Sequence, residues 1–163
     1  MHVSSLRLVI HERQGYWARH LKPRLVGWPI ACVETRSRAD LEAALRSTAC
    51  PIVVIDVADR PHAALDDLDR AMRAAPNALT LVLDPRAHDG VAALALELGA
   101  SHVMTGGVVP PAVSDLLARW LRLAQSRNEA DGWSLPVESE PEPWSGLAAP
   151  LLSPSSTARA SRP

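Results

Sequence analysis

The sequence predicts a three-layer α/β domain built on a five-stranded parallel sheet in the order 2-1-3-4-5, followed by a tail. Three observations carry that prediction. Five short runs rich in Val, Ile and Leu recur between residues 6 and 105, each bounded by polar, Gly or Pro residues, as strands buried on both faces are. Segments with helical spacing separate them, and alternating strands and helices imply a parallel sheet covered on both sides. Right-handed crossovers then leave few topologies, of which 2-1-3-4-5 is a common one with its site at the carboxyl ends of the strands.

The strands are "LRLVIH" (6–11), "PIACVE" (29–34), "PIVVID" (51–56), "LTLVLD" (79–84) and "SHVMT" (101–105). The first helix, around Tyr16 to Val26, is interrupted by Pro23, which has no amide to donate. The second, within "SRADLEAALRSTA", carries Leu41, Ala44 and Leu45 on one side and is capped by Ser37 or Asp40. The third, "PHAALDDLDRAMRAA", sets Leu65, Leu68 and Met72 against a polar side of Asp66, Asp67 and Asp69. The fourth, "GVAALALELGA", is apolar on nearly every side, with Val91, Leu94, Leu96 and Leu98 and a single charge, Glu97. A covering helix should show a polar stripe, so this one is either unusually buried or meets another chain. The fifth opens on Pro110, a permitted first-turn residue, and presents Val113, Leu116, Leu117, Trp120, Leu121 and Ala124.

The chain has 163 residues and a net charge of −1, so no global field draws it to nucleic acid or to an anionic membrane. The tail shows neither a helix-turn-helix pattern nor a basic cluster, so no DNA-binding appendage is expected. No apolar run approaches the roughly 20 residues that span a bilayer, and the apolar stretch near the N-terminus is too short for a secretory signal. Cys32 and Cys50 form neither a CxxC pair nor a zinc pattern, which fits core thiols of a cytoplasmic protein. Residues 1–126 make the domain, and residues 127–163, rich in Pro, Ser, Glu and Ala without a period, are expected to be disordered. Trp133 and Trp144 lie in that tail, and tryptophan is enriched at binding hot spots.

Acids end three strands. "VIHE" gives His11 and Glu12, "VVID" gives Asp56 and "LVLD" gives Asp84. This phasing over residues 5 to 126 resembles the receiver domain of bacterial response regulators. The resemblance implies Asp56 at the phosphoacceptor position. It implies His11 and Glu12 where two acids hold magnesium, and Asp84 where a Ser or Thr belongs. Gly106 and Gly107 fall where a lysine and a proline follow the fifth strand, and Val103 where an aromatic sits. The only lysine, Lys22, lies in the first helix region.

Those departures carry an electrostatic consequence. Asp84 would put a carboxylate where phosphoryl oxygens arrive, and two charges about 4 Å apart repel by about 4 kcal/mol at an effective dielectric of 20. The sequence therefore points to a non-catalytic, pseudo-receiver-like signalling module, without a cofactor, that works through protein contacts. Its candidate contacts are Val91, Leu94 and Leu98, Trp120, and the tail residues Trp133 and Trp144, toward a protein partner or a second copy through the fourth and fifth helices. Two alternatives stay open. One is an atypical phosphoacceptor in which Glu12, Asp56 and Asp84 share a cation such as Mg2+. The other is a small-ligand site at the strand ends. Against a cation shared by the three acids stands a structural role for them, capping helices or pairing with Arg13, Arg60 and Arg86, which lie close in sequence.

Overall fold

The computed structural model describes residues 6–47 and 51–132, with side chains as far as 126. Five strands alternate with five helices: β1 (Leu6–His11), α1 (Tyr16–Leu21), β2 (Ile30–Thr35), α2 (Arg38–Leu45), β3 (Ile52–Asp56), α3 (Pro61–Ala74), β4 (Leu79–Asp84), α4 (Val91–Glu97), β5 (His102–Thr105) and α5 (Pro110–Gly132). The sheet is parallel throughout and its order is β2-β1-β3-β4-β5. Fold class and strand order match the sequence-based expectation.

Successive residues of a strand point to opposite faces, and the two cores follow that alternation. Val9, Val53, Ile55 and Val82 face α2, α3 and α4. Leu8, Ile10, Val54, Leu81 and Leu83 face α1 and α5. β3 therefore lies mid-sheet with apolar side chains on both sides, and its carboxyl end can carry a polar residue only where the helices part. That residue is Asp56.

Helix ends follow local chemistry. Pro23 ends α1 at Leu21, and the chain continues as a 3-10 turn over Lys22–Leu25. Ser37 caps α2, its hydroxyl accepting the Asp40 amide at 3.2 Å. α5 runs to Gly132, past the boundary at 126 that the composition suggested, because nothing in "SRNEAD" breaks a helix before that glycine. Residues 127–132 of the expected tail are thus helical, and the rest of it, with Trp133 and Trp144, lies outside the described residues.

The outward side of α4 corrects one expectation. Val91 is only 3% exposed and packs, with Ala95, into the core beside α3. It cannot meet a partner: its position in the first turn of α4 turns it toward the sheet. Leu98 is half-buried against the same core. Leu94 and Leu96 are the residues that stay open, at 48% and 54% exposure. Trp120 is half-buried against the opposite core, while Leu123, one turn further on, is exposed.

Candidate functional site at the carboxyl edge of the sheet

Glu12 follows β1 and is 2% exposed. Its carboxylate accepts the backbone amides of Trp17 at 2.8 Å and Ala18 at 2.5 Å. The arrangement follows from Gly15, which precedes α1 with φ near +74° and has no side chain to cap the helix. Its left-handed turn, which glycine adopts without penalty, lets Glu12, three residues before it, reach forward and satisfy two amides that the first turn leaves open.

Asp84 ends β4 and is fully buried. One carboxylate oxygen accepts the His88 amide at 2.7 Å, and the other lies 2.6 Å from His88 Nδ1. Its carbonyl accepts the amides of Ala87 and Gly106, so the same residue ties the β4–α4 turn to the turn after β5. Arg86, which the sequence offered as a partner for Asp84, pairs instead with Asp59 at 2.5 Å.

Asp56 is half-buried. One carboxylate oxygen accepts the indole N–H of Trp17 at 3.1 Å, and the amide of Ala58 donates to the same group. Ala58 holds φ near +46°, a left-handed conformation that non-glycine residues seldom adopt. Burial raises the Asp56 pKa above the usual carboxylate range. The hydrogen bond from Trp17 pulls the other way, and the charges of Glu12 and Asp59 add to the rise. Among the described residues no arginine, lysine or histidine forms an ion pair with Asp56.

His11 belongs to a network that the sequence did not reveal. Its ring nitrogens lie 3.0 Å from the Thr35 hydroxyl and 3.2 Å from Asp67, and Arg38 donates to the other Asp67 oxygen at 2.8 Å. Asp67 is therefore buried between β1 and α2 and is not part of a solvated side of α3. The clue was its place on α3: Asp67 lies between Ala64 and Ala71, both core residues, at helical spacing. Trp17 was also missed, since nothing in "GYWARHL" says that its indole will cross to β3.

Two cavities meet at Asp56. One, of about 220 Å3, lies between the end of β1, the β3–α3 turn and α3, and is lined by His11, Glu12, Arg13, Asp56, Arg60 and Asp67 among others. The second, of about 250 Å3, includes Tyr16, Trp17, Asp56, Arg86 and Val108. Asp84 lines neither. The shared cation site of Glu12, Asp56 and Asp84 is thus not assembled: among the described residues no three His, Cys, Asp or Glu side chains group so as to hold a metal ion. The reason is prior commitment, since Glu12 is spent on helix amides and Asp84 on His88. These residues do not fit the magnesium that a full acid pair would hold.

No family model and no curated protein matches this sequence. Solved structures do. The chain is similar to a CheY-like response regulator receiver domain protein from Methanospirillum hungatei, with a TM-score of 0.60 at 13% identity over 76% of this chain and 99% of that one. The fold is that of a receiver domain. A response regulator from Thermotoga maritima superposes with a TM-score of 0.60 at 13% identity, over 72% of this chain and 98% of that one. A response regulator protein from Burkholderia pseudomallei, solved with a phosphorylated aspartic acid, calcium ion and citrate, gives 0.59 at 14% identity over 77% and 74% of the two chains. Within the receiver fold, Asp56 ends the central strand, and Gly106, with φ near +75°, begins the turn after β5. Among the described residues no helix is long and apolar enough to cross a membrane.

Proposed function

We propose that this chain is a receiver-type signalling module that acts through protein–protein contacts and does not pass a phosphoryl group through Asp56. One observation carries the reading. Asp56 accepts a tryptophan N–H and one backbone amide and, among the described residues, forms no ion pair with a cation, while the neighbouring acids are committed to structural bonds. Phosphoryl transfer is catalysed almost wholly by positioning and by neutralising charge on the moving oxygens. Here Gly106 supplies no ammonium, Asp84 supplies a carboxylate bound to His88, and Glu12 adds repulsion.

The contact surface in this reading is the α4–β5–α5 side. Leu94 and Leu96 are exposed, β5 is a short edge strand with an exposed or half-exposed side chain at every position, and Trp120 and Leu123 continue the apolar side along α5. A protein partner or a second copy of the chain would cover it. The test is treatment with acetyl phosphate and Mg2+, followed by intact-mass measurement and light scattering. The proposal expects no phosphoryl adduct and an assembly state that the donor does not alter. An adduct that disappears in Asp56→Asn overturns it.

A further inference from the structure

Two turns at the carboxyl edge of the sheet share a strained backbone. The β3–α3 turn holds Ala58 at φ near +46°, and the β4–α4 turn holds Ala87 at φ near +51°. No other non-glycine residue among those described has a positive φ. A residue with a Cβ is strained in this left-handed region, and the conformation persists only where its surroundings over-determine it. Each turn is fixed at its base by backbone groups. The Arg60 amide donates to the Val57 carbonyl at 3.0 Å, the Ala58 amide to the Asp56 carboxylate, and the Ala87 amide to the Asp84 carbonyl at 3.1 Å. The tips meet through side chains: Asp59, next to Ala58, pairs with Arg86, next to Ala87, at 2.5 Å. Ala58, Asp59, Pro85 and Arg86 all line the cavity of about 250 Å3 that Trp17 and Asp56 also line.

We infer that the Asp59–Arg86 pair is a latch that keeps both turns closed beside Asp56. Formed, it ties the tips together and helps hold the two alanines left-handed. Broken, it frees both turns to relax, and the cavity between them opens. Two features suit the pair to release. Its side chains are 51% and 64% exposed, so water, salt and any competing charge reach it. An exposed ion pair contributes little stability, and the strain stored in two turns opposes it, so the balance is close and a modest perturbation tips it. The placement of the charges makes the coupling mutual. Each charged residue is one position from a strained alanine, so loss of either partner is felt in the other turn as much as in its own. The latch works in the same way whether or not Asp56 accepts a phosphoryl group.

Hydrogen exchange of the full chain, followed residue by residue by NMR, tests it. Each variant is read at the far turn, where its own sequence neighbours do not interfere. Asp59→Asn should speed exchange of the Ala87 and His88 amides, and Arg86→Gln that of the Ala58 and Arg60 amides. Each gain should be about two- to fivefold, the range open to an exposed ion pair. The Trp17 indole N–H, which donates to Asp56 at 3.1 Å, reports on the cavity and should exchange faster in both variants. The double variant should show no further gain, since both substitutions break the same contact. Asp59 and Arg86 are both exposed, so neither substitution endangers the fold. Unchanged exchange at the far turn in both single variants would overturn the latch. Gains that add in the double variant would do the same, as would faster turns beside an unchanged Trp17 indole.

Discussion

Replacing Glu12 by glutamine distinguishes a helix cap from a cation ligand by the sign of its effect. In the structure, Glu12 accepts two backbone amides at 2.8 and 2.5 Å with 2% exposure. A hydrogen bond to a charged group contributes about 1.5–3 kcal/mol net. Glutamine keeps one carbonyl oxygen for one amide but turns an NH2 group toward the other, so the loss is one charge-assisted bond and the charge on the second. That amounts to about 2–3 kcal/mol, which lowers Tm by roughly 10 °C for a domain of this size. Glu12→Ala, which loses both bonds, should cost about 3–5 kcal/mol. The stake is α1 itself, whose Trp17, Ala18 and Leu21 are buried in one of the two cores. A cation ligand would behave in the opposite way. Removing it from an empty acidic site relieves repulsion with Asp56 and stabilises the protein. Urea and thermal unfolding followed by far-ultraviolet circular dichroism, with and without Mg2+, measure the difference. An E12Q protein as stable as the parent, together with a Mg2+-dependent gain that only the parent shows, would refute the capping argument.

Asp56→Asn should be more stable than the parent at neutral pH, by an amount on the order of 1 kcal/mol. The sign follows from the raised pKa: the folded state holds the Asp56 proton more tightly than the unfolded chain does, so the parent loses stability as pH climbs from the ordinary carboxylate range through the native value, and the variant does not. The two curves should therefore converge in acid, which urea midpoints across a pH series will show. Ala58→Gly should raise stability by up to about 1 kcal/mol, because its φ of +46° penalises a Cβ and glycine escapes that penalty; an unchanged or lower urea midpoint would count against a strained turn. Leu94→Glu, at a position 48% exposed, should change the folding free energy by less than about 0.5 kcal/mol while abolishing any self-association through α4 seen by light scattering.

The sheet was legible because buried parallel strands leave a direct mark: continuous Val, Ile and Leu runs closed by turn residues. The break at Pro23 and the cap at Ser37 were legible for the same reason, since each acts on its own neighbours in the chain. The side-chain partners at the strand ends were not. Arg86 stands two residues from Asp84 yet reaches Asp59, and Trp17 reaches Asp56 across 39 positions. Such pairings depend on how a helix crosses the sheet, which periodicity does not specify. The alternatives of helix cap and arginine pairing for the three acids divided accordingly: all three take backbone amides, Asp56 adds an indole, and none of them pairs with an arginine among the described residues. Asp67 shows how a polar run misleads. "DDLD" reads as one solvated side, but the helix turns its middle acid inward, where Arg38 and His11 receive it. Val91 misleads in the opposite sense, as an apolar residue of an apolar helix that is core and not contact surface.

The central question is whether the Asp56 carboxylate can take a phosphoryl group at all. Incubation of the purified chain with beryllofluoride and Mg2+, read by fluorine NMR, asks it without depending on any partner kinase. The account predicts only free fluoride species, with the Asp56→Asn spectrum identical to the parent's. A protein-bound beryllofluoride resonance that vanishes in Asp56→Asn would contradict it.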